Sequence, residues 1–253
     1  MQKNNLIRFG TEYGGFYYPE NLPFLNENSV VYCFGAGEDI THDIILSSKL
    51  NCQVHIFDPT PRAIEHVKNV IDVVEGKKKP LDSNRYGGGD PNYWNMILQN
   101  KPNGENIILH EYGLYTKDDI LKFYLPNNKE YVSCSLMKGL KSDDFINVPV
   151  KSLNTIMNDL GHKSIDLLKI DVECVECEIL DKMLDDKIYP RYISVDFDLI
   201  NIDKSRCYKT IKKIMTNNYK ILKKAGQEMT FILNTPIYKD SEYNSMYTFM
   251  DNK

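Results

Sequence analysis

No stretch of this 253-residue sequence approaches the roughly 18 consecutive apolar residues that a membrane helix requires. The opening MQKNNLIRFG also has no apolar core of the kind a secretory leader carries, so a cytoplasmic protein is the expectation. Positive charge is not in excess: 31 Lys and Arg face 35 Asp and Glu, for a formal net charge of -4. No global field therefore draws the chain to phosphate backbones, and nucleic acid is not an expected partner. Tryptophan is nearly absent, with Trp94 alone. Internal repeats, low-complexity tracts and Pro/Ser-rich linkers are missing too, which leaves one elaborate domain as the expectation for residues 1–253. The six cysteines are scattered, and such spacing in a large chain expected to be intracellular does not look like a disulfide framework.

What is present is an alternation of short apolar runs with amphipathic segments. SVVYCFGAG is a β-branched and aromatic run ending in glycines, and EDITHDIILSSKL after it carries Ile40, Ile44, Ile45 and Leu50 on one helical face. CQVHIFD reads as a second strand, and TPRAIEHVKNVIDVV as a second helix with Thr60 at its N-cap and Pro61 at its first position. NIILHEYGLY, IDLLKIDV and RYISVDFD read as three more strands. ECEILDKMLDD and SRCYKTIKKIMTNN read as helices, and YKILKKAGQEMTFILN as a closing antiparallel hairpin. The expected fold is α/β and Rossmann-like, a mainly parallel twisted sheet with helices on both faces. Ligands in such sheets sit at the carboxyl ends of the strands, near the switch in strand order.

Those ends hold the candidate residues. At the first strand, Gly35 and Gly37 let a cofactor approach the backbone, with Glu38 and Asp39 directly after them. At the second, Asp58 is placed to accept hydrogen bonds from the hydroxyls of a ribose. The third glycine of a dinucleotide fingerprint is replaced by Ile40, and an acidic pair repels a pyrophosphate. A cationic sulfonium with an amino-acid tail tolerates those carboxylates, so S-adenosylmethionine (SAM) fits better than NAD. A tight turn at the glycines and a capping role for Asp58 stay open beside this reading.

Four segments in this order, VVYCFGAGEDITHD, VHIFDPTPRAI, VPVKSLNTIMNDLGHKSIDLLKIDVECVECEIL and RYISVDFD, resemble the FkbM family of class I SAM-dependent methyltransferases. Lys169, Ile170, Asp171, Val172, Glu173 and Glu176 match that family's signature strand. Cys174 stands where its members carry Gly, and Asn154 where Asp is common. The resemblance implies methyl transfer from SAM to a hydroxyl of a sugar or polyketide-like acceptor; Arg85 with Lys77 to Lys79, suited to phosphates, points to a nucleotide-linked sugar for a capsule or other surface polysaccharide. An NAD-dependent oxidoreductase and a non-catalytic nucleoside-binding module are the alternatives.

Methyl transfer to an alcohol needs alignment and a base, or a cation that acidifies the hydroxyl. Asp171 is the first candidate base, followed by Glu173, Asp196 and Asp198. Asp171, Asp196 and Asp198 are also oxygen ligands for Mg²⁺ or Ca²⁺. Helix capping and neutralisation of Lys169 are the structural alternative. Glu111, Tyr112 and Gly113, at the third strand end, are candidates for holding the adenine ring, while His110 reads as structural or as a base. Tyr13 and Gly14, with Gly15, are candidates for closing over the methionine tail, within an N-terminal cap segment at 1–28. The insertion at 76–106 reads as a lid that offers Arg85, Tyr86 and Trp94 to the acceptor. Cys174 and Cys177 lack the second ligand pair that a structural zinc site requires and are expected to pack. Oligomeric state is left open.

Overall fold

The computed structural model describes residues 5–81, 85–128, 134–136 and 142–234. An N-terminal hairpin, β1 (Leu6–Phe9) and β2 (Phe16–Pro19), precedes β3 (Val31–Phe34), α1 (Thr41–Leu50), β4 (Val54–Phe57) and α2 (Pro61–Val74). Next come α3 (Tyr93–Gln99), β5 (Ile107–His110), β6 (Gly113–Leu114), β7 (Asp119–Tyr124), β8 (Phe145–Lys151) and α4 (Leu153–Leu160). The chain continues through β9 (Leu167–Ile170), α5 (Glu176–Asp185), β10 (Tyr192–Asp196), α6 (Lys204–Thr216), β11 (Tyr219–Ala225) and β12 (Glu228–Leu233).

The main sheet has the order β11-β12-β10-β9-β3-β4-β5, parallel from β10 to β5, with β12 and β11 antiparallel at the far edge. This is the expected α/β architecture with its closing hairpin. Strand order runs one way from β3 through β4 to β5 and the other way through β9 to β10, so the switch point lies between β3 and β9.

Strands β3, β4 and β9 are buried at every position, as a sheet covered on both faces requires. Alternation sorts their side chains. Tyr32, Phe34, Leu168 and Ile170 pack with Ile179, Leu180 and Met183 of α5 and with Ile211 and Ile214 of α6. Val31, Cys33, Val54, Ile56 and Leu167 pack with Ile44 and Leu46 of α1 and with Val67 and Val70 of α2. The helices therefore cover both faces. Among the described residues, no helix is long and apolar enough to cross a membrane.

Three features lie outside the sequence-based expectation. The β1–β2 hairpin is fastened to β12 by a bidentate pair, Arg8 Nη1 and Nη2 donating to the Glu228 carboxylate at 2.8 and 2.9 Å. A second sheet, β6-β8-β7, forms from the region between the third and fourth expected strands. Period-two burial of Val148 and Val150 in FINVPVK was its signal. Helix α4 is capped by Ser152, whose hydroxyl accepts from Thr155 N at 3.2 Å, and is ended by Gly161 in the left-handed region.

Candidate active site

The carboxyl ends of β3, β4 and β9 open into one cleft. Its walls include Tyr13, Gly14, Gly35, Gly37, Asp39, Asp58, Gly113, Asp171 and Glu173, nine of the residues singled out from the sequence. Phe57, Pro59, Leu114, Phe123, Cys134 and Val175 line it as well. Sequence reasoning missed these because apolar residues carry no chemical signature and Leu114, Phe123 and Cys134 arrive from the small sheet and its surroundings.

The turn after β3 is shaped by close approach. Gly35 has φ +83, and a Cβ built on it would lie 1.8 Å from Asp171 O. Asp171 N in turn donates to Phe34 O at 3.1 Å, so the two strand ends interlock. Lys169, on the buried strand β9, donates through Nζ to Gly35 O at 2.5 Å and lies 3.6 Å from Asp171 Oδ2. Burial opposes its charge, but the carboxylates of Asp171, Asp43 and Asp39 outweigh burial and hold the ammonium above the ordinary lysine range.

Two of the candidate carboxylates serve the turn itself. Asp58 Oδ2 accepts from Ala36 N and Gly37 N at 2.9 and 3.2 Å, while Oδ1 accepts from Thr60 N and Oγ1 at 2.8 and 2.7 Å. With both oxygens doubly engaged, Asp58 anchors the turn, and a ribose hydroxyl would have to share an oxygen with these donors. Asp39 Oδ1 accepts from Thr41 N and Oγ1 at 2.8 and 2.7 Å, which ties the turn to the first residue of α1, and Oδ2 accepts from Thr11 Oγ1. That contact brings the Tyr13–Gly14 segment to the cleft, and Gly14 fits because a Cβ there would stand 2.9 Å from Asp39 Oδ2.

The carboxylates after β9 and β10 behave differently. One oxygen each from Asp171, Asp196 and Asp198 lies within 4.8 Å of the others. Burial, then the charge of Asp171, pushes Asp196 up to about 7. Burial, then Glu173, Asp196 and Asp171, pushes Asp198 up to about 8. Glu176 is fully buried, accepts from Leu199 N at 2.8 Å, and is pushed up to about 7, chiefly by burial. Only Asp171 and Glu173 of this group are in the cleft wall; Asp196 and Asp198 adjoin it through Asp171. Glu173 and Cys174 have φ +53 and +75, a left-handed pair that carries the chain from β9 to α5. That region favours glycine, which accounts for a family position where Gly is usual and Cys stands here.

Several of the expected residues lie outside the cleft wall. Glu111 is on the surface, paired with Lys68 Nζ at 2.5 Å, and Tyr112 lies against Phe57 and under Lys151, so of the three adenine candidates only Gly113 lines the cleft. Tyr86 is buried against His66 and Tyr93, and Trp94 packs on Tyr86 and Tyr93 with its indole N–H on Leu81 O at 2.8 Å. Arg85 faces Glu38 at 3.6 Å. None of the three lines the cleft, and the described part of the insertion is anchored in the core because its aromatic rings bury there. It supports the site indirectly, since Gly88 packs so closely on Tyr13 that a Cβ would come within 2.7 Å of that ring. His110 stacks on Phe57 and shares a 3.0 Å hydrogen bond with His55, a structural arrangement. Cys174 and Cys177 are buried, as expected, and Cys177 Sγ meets Cys207 Sγ at 3.5 Å.

A sheet that reverses between β3 and β9, a glycine turn at that reversal and carboxylates at the adjoining strand ends define a Rossmann-like fold of the class I methyltransferase type. A model of the methyltransferase FkbM domain matches residues 63–215, more than half of the chain, and the chain belongs to that family. Among solved structures, methyltransferase FkbM from Methylobacillus flagellatus KT shares 10% identity at a TM-score of 0.48, over 86% of this chain and 46% of its own. This chain thus spans less than half of that protein. TYW2 of M. jannaschii, solved in complex with AdoMet, shares 15% identity at a TM-score of 0.31, over 92% of this chain and 85% of its own. No curated protein matches the chain.

The residues present fit SAM: the bare backbone at Gly35 and Gly37 admits a ligand, and Asp39, Asp171 and Glu173 supply negative charge for a cationic group. Two outcomes follow. Gly35→Ala is expected to cost more than about 1 kcal/mol and to weaken SAM binding, because its Cβ must displace Asp171 O; urea unfolding and calorimetry measure both. The raised carboxyls near Asp171 contribute stability when protonated, complete below about pH 4 and lost as pH rises through their folded values of about 7 to 8. Wild-type stability relative to Asp198→Asn is therefore expected to fall between about pH 5 and pH 8, and parallel curves in urea would show that Asp198 does not titrate there.

Proposed function

We propose that this chain is a cytoplasmic O-methyltransferase that moves the methyl group of SAM to a hydroxyl of a carbohydrate acceptor, with Asp171 as general base. The observation that carries the reading is the position of Asp171: in the cleft wall, its side chain 32% exposed, immediately after a buried strand and beside the Lys169 ammonium. An alcohol is a poor nucleophile while protonated, and a carboxylate fixed at the cleft can take that proton as the oxygen attacks.

When bound, SAM supplies an electrophilic methyl on a cationic sulfur. The turn at Gly35 and Gly37 would hold its nucleoside end, Phe57, Pro59, Gly113 and Leu114 would pack on the base, and Tyr13 and Gly14 would border the methionine end. Lys169 keeps Asp171 and the turn in register, and Glu173 adds a second acceptor for substrate hydroxyls. Clustered carboxylates suit a neutral polyol better than a phosphate. With Arg85, Tyr86 and Trp94 outside the cleft, the residues that pointed to a nucleotide-linked sugar for a surface polysaccharide lend it no support there. Ile40, at the third glycine position of a dinucleotide loop, is fully buried in the core, which argues against the NAD reading.

A second reading is favoured by the three oxygens of Asp171, Asp196 and Asp198 within 4.8 Å of one another: a divalent cation held there would lower the pKa of an acceptor hydroxyl. Asp171→Asn is expected to retain SAM binding in calorimetry and to lose about 10²–10⁴-fold in turnover of a methylated sugar. Undiminished turnover would sink the base assignment, and absence of SAM binding by the wild type would sink the whole reading. If the cation participates, EDTA abolishes turnover and Mg²⁺ or Ca²⁺ restores it; activity indifferent to EDTA leaves the base acting alone.

A further inference from the structure

Behind the cofactor turn, on the α1 face of the sheet, Cys33, His42 and Asp43 meet in the core. Each is 1% exposed, and one ligand atom from each lies within 4.8 Å of the other two. Neither carboxylate oxygen of Asp43 accepts a hydrogen bond from a nitrogen or a hydroxyl, its neighbours being the Cys33 thiol and the charge of Lys169, and Nδ1 of His42 has no partner. A carboxylate buried in this way is costly, and burial raises its pKa above the ordinary range even with the Lys169 charge and the Cys33 thiol acting on it.

The nearest cation does not resolve this. Lys169 sits beside Cys33 in the β3–β9 register, yet its ammonium donates to Gly35 O, and its ion pair is with Asp171. Among the described residues, Asp43 has no ion pair within 4.0 Å.

The histidine is oriented from outside. His42 Nε2 lies 2.8 Å from Tyr18 Oη, which lies 2.6 Å from Ser194 Oγ. With Nε2–H donating to Tyr18 and the Tyr18 hydroxyl donating to Ser194, Nδ1 keeps a lone pair directed away from that chain. An imidazole fixed by a hydrogen bond at one nitrogen and idle at the other has the arrangement of a metal-bound histidine.

We infer that Cys33, His42 and Asp43 form a buried metal site selective for Zn²⁺, the cation that a thiolate, an imidazole and a carboxylate together suit. The chain supplies three ligands, and loading releases the Cys33 thiol proton to solvent. The ligands flank the turn: Cys33 is next to last in β3, while His42 and Asp43 open α1. A metal there staples strand to helix across residues 34–41, the segment that includes Gly35 and Gly37. The site stands whether or not the methyl-transfer reading does, because it is read by metal content.

The test uses the full chain, stripped with EDTA and titrated with Zn²⁺ or Co²⁺. The expected result is one equivalent per chain by elemental analysis, a rise in Tm on loading, and the thiolate charge-transfer and intense visible bands of tetrahedral Co²⁺. Cys33→Ser removes the charge-transfer band and Asp43→Asn removes stoichiometric uptake, with circular dichroism confirming that each variant folds. Cys177→Ser, in the other cysteine cluster, leaves uptake at one equivalent. Failure of the Co²⁺-loaded wild type to show the thiolate charge-transfer band overturns the site, and so does a band that survives Cys33→Ser.

Discussion

The ammonium of Lys169, buried in the middle of a parallel sheet, is the contact on which the cleft depends. It reaches Gly35 O from one strand and Asp171 from its own, and so joins the two strand ends at which the sheet reverses. Burying a charge is costly unless it is paired and hydrogen-bonded, and the surrounding carboxylates meet that condition. The same contact explains why the turn begins with glycine: Asp171 O occupies the space where a side chain would project.

Carboxylates are numerous around the cleft, and their hydrogen bonds divide them by task. Asp58 and Asp39 give their oxygens to backbone amides and threonine hydroxyls, so they build the turn and tie it to α1. Asp171, Glu173, Asp196 and Asp198 crowd together, and their mutual repulsion adds to burial in raising the carboxyls of Asp196 and Asp198. Groups held near neutrality in this way are suited to exchange protons or bind cations. Asp43 belongs to neither set: it lies in the core with Cys33 and His42, and the Lys169 charge acts on it from beyond ion-pair distance.

Segments remote in sequence build the wall facing these acids. The N-terminal hairpin reaches the cleft through Thr11 and Asp39, and Arg8 and Glu228 hold it to the sheet edge. The insertion after α2 supports Tyr13 from behind through Gly88, while its own aromatic residues are committed to the core. Mobility and substrate contact were the sequence-based reading of that insertion; packing assigns its described part to support, because Tyr86, Tyr93 and Ile97 are buried.

The sequence by itself determined the alternation of strands and helices, the closing hairpin, the glycine turn and the placement of Asp171 at the end of an apolar strand. These are local properties: hydrophobic period, turn chemistry and capping are written in neighbouring residues. Even the left-handed turn at Cys174 was foreshadowed by the family's glycine. Only the tertiary structure decided which carboxylates keep free oxygens, which aromatic residues face the cleft, and that Cys33 meets His42 and Asp43. Those outcomes turn on partners far apart in the chain, such as Asp58 with Ala36, Tyr18 with Ser194 and Lys169 with Gly35. A side chain's chemistry is set by what surrounds it once the backbone has folded, and no local pattern encodes those surroundings.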